Sequence, residues 1–263
     1  MSSLRERLQE PELAGIAMDG DARVTAHRAI LARKRMIRDV FVEFHRLFRA
    51  RAERHFDARG IEVEIGAGVA PMRDSYAGVL ATDVVFDRRL DCVVDAQRLP
   101  FRAEAVRAIY VQNAFHHFPD PERFFGELTR VLAPGGGAVL IEPYYGLLAS
   151  ALYPRLFRDE AFDKRVSDWR LAASGPMRGA NQAQSYVVFV RDRARFERAF
   201  TELEVVEGRP LSSYLRYLAS GGLNFRQLVP DWTIPGLRGV EWLLAPLRRV
   251  LALHHLIVLR KRR

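Results

Sequence analysis

Three carboxylates stand at the ends of successive short apolar runs, and the first is followed by a glycine-rich turn. In Val63-Glu64-Ile65-Gly66-Ala67-Gly68-Val69-Ala70-Pro71, Glu64 precedes Gly66 by two residues and Pro71 is placed to open a helix. Asp83 ends Ala81-Thr82-Asp83 and lies 17 residues after Gly66, near the roughly 20 that separate a glycine turn from an acid holding ribose hydroxyls. Asp95 ends Val93-Val94-Asp95, where a carboxylate can accept from an adenine amino group. A dinucleotide loop wants a third glycine where Pro71 stands, so the match to NAD is poor. Glu64 would repel a pyrophosphate and favour a ligand bearing ammonium and sulfonium charges, which points to S-adenosylmethionine.

A second set of residues could act on an acceptor. Methyl transfer from a sulfonium is an in-line displacement that needs geometry and exclusion of water, not a nucleophile. A hydroxyl acceptor needs a nearby base, and imidazole suits that at neutral pH. His116 and His117 end the fourth apolar run; His116 is the candidate base, His117 reads as a loop-organising residue, and His254 and His255 as residues of the last strand. Adjacent histidines in extended chain point to opposite sides, so no metal is expected between them. Tyr144 and Tyr145 follow Glu142-Pro143 and are expected at the methyl end of the ligand, Tyr144 as a catalytic candidate and Tyr145 on substrate. Arg178, Asn181 and Gln182 lie in a Gly/Ser/Pro-marked loop suited to hydrogen-bonding a polyhydroxylated acceptor.

These groups need a scaffold that brings strand ends together. Ile61 to Ile65, Val79 to Thr82, Cys92 to Val94, Ala108 to Val111 and Ala138 to Ile141 read as strands punctuated by Gly, Pro and Asp, with Leu203 to Val206 and His254 to Leu259 further on. The pattern predicts an α/β, doubly wound, mainly parallel sheet with helices on both faces. Asp120-Pro121 caps and opens a helix with Phe124, Phe125, Leu128, Val131 and Leu132 on its buried stripe. Residues 24–56 read as one long helix with Ile30, Ile37, Phe41, Phe44 and Phe48 on one face. The boundaries expected are 1–58 for an N-terminal helical extension or lid and 59–263 for the main domain. Within the latter, 60–143 forms the cofactor-binding core, 144–200 a substrate-lid insertion, and 201–263 the last strands and helices.

The 263 residues are 49% hydrophobic and 28% charged, enough for one sizeable core and incompatible with disorder as the main state. The net charge is +9, yet only Lys34, Lys164 and Lys261 among the 41 basic residues are lysines. One cysteine, Cys92, excludes an internal disulfide framework and fits a reducing compartment. No signal-like run follows Met1, and the uncharged stretches are shorter than the roughly 20 residues a membrane helix requires. A cytoplasmic location is expected, with peripheral contact at an anionic membrane as an open reading. Trp242 to Leu251 and Arg260 to Arg263 could lie on such a surface; Pro246 and the need for a final strand favour a core helix and a solvated tail.

Taken in order, Glu64-Ile65-Gly66-Ala67-Gly68, Thr82-Asp83, Asp95-Ala96-Gln97-Arg98-Leu99-Pro100-Phe101, Asn113-Ala114-Phe115-His116-His117-Phe118 and Arg130-Val131-Leu132-Ala133-Pro134-Gly135-Gly136-Gly137 resemble the class I S-adenosylmethionine-dependent methyltransferases. The likeness is to the small-molecule branch typified by ubiquinone and menaquinone biosynthesis methyltransferases. It implies a Rossmann-like seven-stranded sheet with an antiparallel last strand. It further implies cofactor contacts at Glu64, Gly66, Ala67, Gly68, Asp83, Val84, Asp95, Ala96 and Asn113, with S-adenosylhomocysteine as product. Ala70 stands where many relatives have a further glycine, and residues 144–255 follow the family pattern poorly. Asn113-Ala114-Phe115-His116 is not the tetrad of amine-methylating nucleic-acid enzymes, so no nucleic-acid partner is expected. The expected activity is methyl transfer, at oxygen, to a small-molecule or glycan- or lipid-linked acceptor; a catalytically silent binding scaffold and, further behind, a nucleic-acid methyltransferase are the alternatives.

Overall fold

A computed structural model describes residues 7–17, 21–158, 160–171, 179–212 and 214–263. Seven strands form one sheet: β1 Ile61–Ile65, β2 Val79–Asp83, β3 Cys92–Val93, β4 Val106–Gln112, β5 Leu132–Pro143, β6 Leu203–Pro210 and β7 His254–Lys261. Their order is β3-β2-β1-β4-β5-β7-β6, with β7 antiparallel to both neighbours and the other pairs parallel. The central strands are covered on both sides, which explains their uninterrupted apolar runs: Ala108 to Val111 and Ala138 to Ile141 are fully buried. β5 starts earlier than the sequence suggests, taking in Pro134 to Gly137 through a register shift against β4. A Cβ on Gly137 would strike Leu259 O and the Phe56 ring, so this close approach requires glycine.

The helices over 24–56 are two, not one: α1 Asp21–Arg33 and α2 Arg35–His55. The break is at Lys34, whose backbone is extended (φ −93°, ψ 93°). Its buried ammonium donates to Ser220 O at 2.8 Å, Gly222 O at 3.0 Å and Phe225 O, and pairs with Glu10 at 2.7 Å. Satisfying a buried charge this fully outweighs one turn of helix. The other two lysines also reach carbonyls: Lys164 binds Tyr145 O and Ser150 Oγ, and Lys261 binds Thr129 O, each at 2.8 Å.

The apolar face of α2, with Ile37, Val40, Phe41, Phe44 and Phe48, packs on Tyr110, Val139, Ile141 and Val258 of the sheet. It covers a face where the β1–β2 connection supplies no α-helix. Pro71 opens only a 3₁₀ turn, Met72–Asp74, because few residues remain before β2. On the opposite face α3, Pro121–Val131, is capped by Asp120, which accepts from Glu122 N at 3.1 Å and Arg123 N at 3.2 Å. Phe124, Phe125 and Leu128 of α3 meet Trp169, Val187, Phe189 and Phe196 from the insertion, each buried phenylalanine contributing about 1.5–3 kcal/mol.

The remaining helices of six or more residues are α4 Leu147–Leu156, α5 Arg193–Ala199, α6 Leu215–Ser220 and α7 Ile234–Leu243. α7 and the short turns after it are not the core helix expected from Trp242 to Leu251. Ile234 and Glu241 are the buried residues of α7. Its contact with α6 includes an ion pair, Arg216 to Glu241 at 2.8 Å, and Val240, Trp242 and Leu243 are left exposed.

Candidate active site

The C-terminal ends of β1, β2, β4 and β5 open into one cavity of about 590 Å³. Its floor is the loop after β1. Gly66 adopts φ +74° and a Cβ there would stand 2.5 Å from the Ala114 Cβ, so the turn is open only to glycine. Gly68, at φ +52°, has open space where a Cβ would project. All nine residues expected to bind cofactor, namely Glu64, Gly66, Ala67, Gly68, Asp83, Val84, Asp95, Ala96 and Asn113, line this cavity.

The acids are held locally. Asp83 accepts from Gly68 N and Val85 N, one on each oxygen, both at 3.0 Å. Asp95 accepts from Gln97 N at 2.8 Å in a tight turn that leaves its carboxylate exposed. Glu64 is buried, accepts from Met72 N at 2.6 Å, and is pushed up to about 8, chiefly by burial and further by Asp83 and Asp74. Asn113 holds a left-handed backbone, φ +49°, at the end of β4, a conformation asparagine tolerates better than most residues. Beside it Gln112 presents a buried Oε1 with no hydrogen-bond partner among the described residues.

The opposite wall is an ion network. His116 and His117 sit in a 3₁₀ turn, Phe115–His117, not in extended chain, so their rings lie together with centroids 4.3 Å apart. His116 Nδ1 bonds Glu142 Oε2 at 2.6 Å, while Glu142 also accepts from Ala114 N and Phe115 N at 2.9 Å and His116 N at 3.3 Å. Glu160 lies 3.6 Å from His116 Nε2 and 4.0 Å from His117 Nε2, and takes a bond from Gln182 Nε2 at 2.5 Å. Burial alone would push His116 down, but the two carboxylates raise it to about 9. Burial would push Glu160 up, but His116 and His117 draw it down to about 2. His117 is lowered to about 3 by burial and by the charge of His116. His116, His117 and Glu160 bring ligand-type atoms within 4.8 Å of one another, and the carboxylates on either side of His116 favour its protonated form.

The roof comes from distant chain. α1 supplies Arg23, Val24 and His27, α4 supplies Tyr153, and Phe157, Tyr217 and Leu223 close the remaining sides. Asn224 ties the roof together by accepting from Arg23 at 2.9 Å and meeting His27 Nε2 at 3.2 Å. An adjoining chamber of about 270 Å³ shares Arg23, Phe157, Glu160 and Asn224 with the main cavity.

His116 and Gln182 line the cavity, whereas Tyr144, Tyr145 and Asn181 are not in its walls. Tyr144 N donates to Leu253 O at 2.8 Å, carrying the chain onward alongside β7, and its ring packs against Tyr145 and His255. Asn181 is spent inside the insertion, accepting from Asp163 N and Ala183 N and donating to Asp163 O. Arg178 lies outside the described residues. His254 and His255 are buried in β7 and lowered to about 3 by burial. Glu142, Glu160, Gln112 and the roof residues were not singled out by sequence reasoning. Glu142 alone had a local signal, as an acid at the end of an otherwise apolar strand.

Comparison with known proteins agrees with this geometry. Residues 40–140 match a family described as a methyltransferase domain. Over 85 residues the chain is 48% identical to demethylmenaquinone methyltransferase of Thermus thermophilus, covering 32% of this chain and 38% of that relative. Two solved structures of Haemonchus contortus phosphoethanolamine N-methyltransferase 2 share the fold. One, with S-adenosyl-L-methionine, has TM-score 0.51 at 11% identity, covering 100% of this chain and 60% of that one. The other, with phosphomonomethylethanolamine and S-adenosylhomocysteine, has TM-score 0.52 at 12% identity, covering 100% and 61%. Sheet order and strand-end cavity are those of the Rossmann-like methyltransferase fold, and the matched segment resembles the small-molecule branch of the class I S-adenosylmethionine-dependent methyltransferases, the chain spanning less than half the length of the curated relative it matches.

Proposed function

We propose that this chain transfers the methyl group of S-adenosylmethionine to a hydroxyl of a small-molecule or glycan- or lipid-linked acceptor. The observation that carries the reading is the convergence of nine residues from separate strand ends on one cavity. The cavity fits the cofactor. Gly68 leaves open space, Asp83 and Asp95 keep lone pairs for ribose hydroxyls and the adenine amine, and Gln112 Oε1 is an unmatched acceptor on the wall. Glu64 ionises beside a cation and would favour the ammonium end. When bound, the cofactor supplies a sulfonium methyl that needs no further activation.

The chain's own part is positioning and proton removal. Glu142 holds the Nδ1 proton of His116, and Nε2, which faces Glu160, can take the acceptor's proton once it has given up its own. A pKa near 9 means that the neutral, competent imidazole becomes more abundant as pH rises toward 9. The N-terminal extension, residues 1–58, acts as a lid, a role supported by α1 residues on the roof. A quinone-type acceptor is suggested by the Thermus thermophilus relative's name, and Phe41, Phe118 and Phe157 offer apolar walls for a flat ring.

Calorimetric titration with S-adenosylhomocysteine tests the cofactor, beside an Asp83→Ala variant checked for folding. The variant should lose about 1.5–3 kcal/mol of binding, roughly ten- to a hundredfold. A folded wild type that binds neither S-adenosylmethionine nor S-adenosylhomocysteine ends the proposal. Once labelled methyl is seen to enter a quinol or glycoside, His116→Ala should lower turnover by on the order of 10²-fold or more with cofactor affinity little changed. Unchanged turnover would remove His116 from the mechanism.

A further inference from the structure

Trp169 is fully buried, whereas Trp232 and Trp242 are 81% and 77% exposed. They flank and end α7, and Val240, Leu243, Leu247 and Val250 are exposed in the same stretch of chain. Isolated apolar residues on a surface mean little, but two near-naked tryptophans with four exposed aliphatic residues within one short segment favour a contact surface. The charges of this segment lean positive. From 231 to 250 the charged residues are Asp231, Arg238, Glu241, Arg248 and Arg249; Glu241 is buried against Arg216, and Asp231 accepts from Gln227 at 2.9 Å. Arg238 is engaged by Glu43, while Arg248 and Arg249 are exposed and form no ion pair with any described residue.

We propose that residues 232–250 dock on the surface of an anionic phospholipid bilayer. Tryptophan seats its amphipathic ring at the headgroup level, aliphatic side chains enter the acyl boundary, and arginines meet lipid phosphates. A second copy is the poorer occupant: a two-fold contact would set Arg248 and Arg249 against their own kind. The contact is interfacial, since no described helix is long and apolar enough to cross a membrane. α7 packs on α6, which carries cavity residue Tyr217, and the turn at 248–251 packs on α4, which carries Tyr153. The docking segment is therefore one layer from the acceptor side of the cavity, though docking itself does not depend on the methyl-transfer reading.

The test is co-sedimentation of the full chain with vesicles of phosphatidylcholine alone and of phosphatidylcholine with phosphatidylglycerol, near physiological salt. Wild type should partition onto the anionic vesicles with a blue shift of tryptophan emission. Trp232→Ser combined with Trp242→Ser should weaken partitioning by on the order of tenfold or more, and Arg248→Gln with Arg249→Gln should reduce the preference for anionic lipid. Titration with S-adenosylhomocysteine establishes that each variant is folded where wild type binds it. Loss of cofactor binding in wild type would end the methyl-transfer reading without touching the vesicle result. Docking is overturned if wild type stays in solution, if the double tryptophan variant binds as well as wild type, or if wild type is a dimer that this variant dissolves.

Discussion

The cavity's two walls are built by different physics. On the cofactor wall, each acid is oriented by backbone N–H groups close to it in space: Gly68 and Val85 for Asp83, Gln97 for Asp95, Met72 for Glu64. On the wall that carries His116, buried groups also hold one another across long sequence separations, Glu142 with His116 and Glu160 with His116, His117 and Gln182, in addition to the backbone N–H groups that Glu142 accepts from. A wall made of turns survives the loss of one side chain, because the turn remains. A wall made of buried mutual charges does not, because each removal strands a partner in low dielectric.

The largest effect should follow Glu142→Ala, which strands three backbone donors and leaves the His116 ring with Glu160 alone. Denaturant unfolding should show a loss of about 3–5 kcal/mol; a loss comparable to that of Asp83→Ala would erase the distinction between the walls. Next comes pH. Glu64 is raised from 4.5 to about 8, so the unfolded chain ionises first and stability falls as pH rises through that window. His116 is raised from 6.5 to about 9, so its stabilising contribution is whole below 6.5 and disappears as pH rises through 9. Glu160, lowered from 4.5 to about 2, contributes above 4.5 and loses its effect as pH falls through 2. Thermal midpoints should therefore decline from about pH 6.5 to 9, and Glu64→Gln should flatten the part of the decline below pH 8. The smallest effect is Gln112→Leu. Replacing an unsatisfied acceptor by an apolar group should leave stability unchanged or slightly higher while weakening S-adenosylhomocysteine binding by about 0.5–1.5 kcal/mol; equal binding by both proteins would take Gln112 out of the site.

The same contrast explains what the sequence made legible. The strands, the glycine turn, Asp83, Asp95 and the capped α3 depend on short-range rules about turns and strand ends, and each is readable in a few residues. Glu160 is separated from its partner His116 by the whole of α3, β5 and α4, and nothing around it betrays the pairing. The break at Lys34 was invisible for a related reason: helical periodicity runs straight through it, and the carbonyls that pull it open come from residues 220 to 225. Tyr144 and Tyr145 misled because a position after a strand end places a residue near the cavity only if the chain then turns inward. Here the bond from Tyr144 N to Leu253 O keeps it in the sheet's company.

The three lysines carry a consequence for the chemistry of the surface. An ammonium can aim donors at carbonyls arranged around a point, which a flat guanidinium cannot, so Lys34→Arg would be a disruptive replacement. All three ammonium groups donate inward in this way, and Lys34 and Lys261 are nearly inaccessible. The rest of the positive charge is guanidinium, which stays protonated at any pH the fold tolerates and resists acylation. Reagents or enzymes that modify side-chain amines would find little to attack here, leaving the protein's cationic character almost permanent.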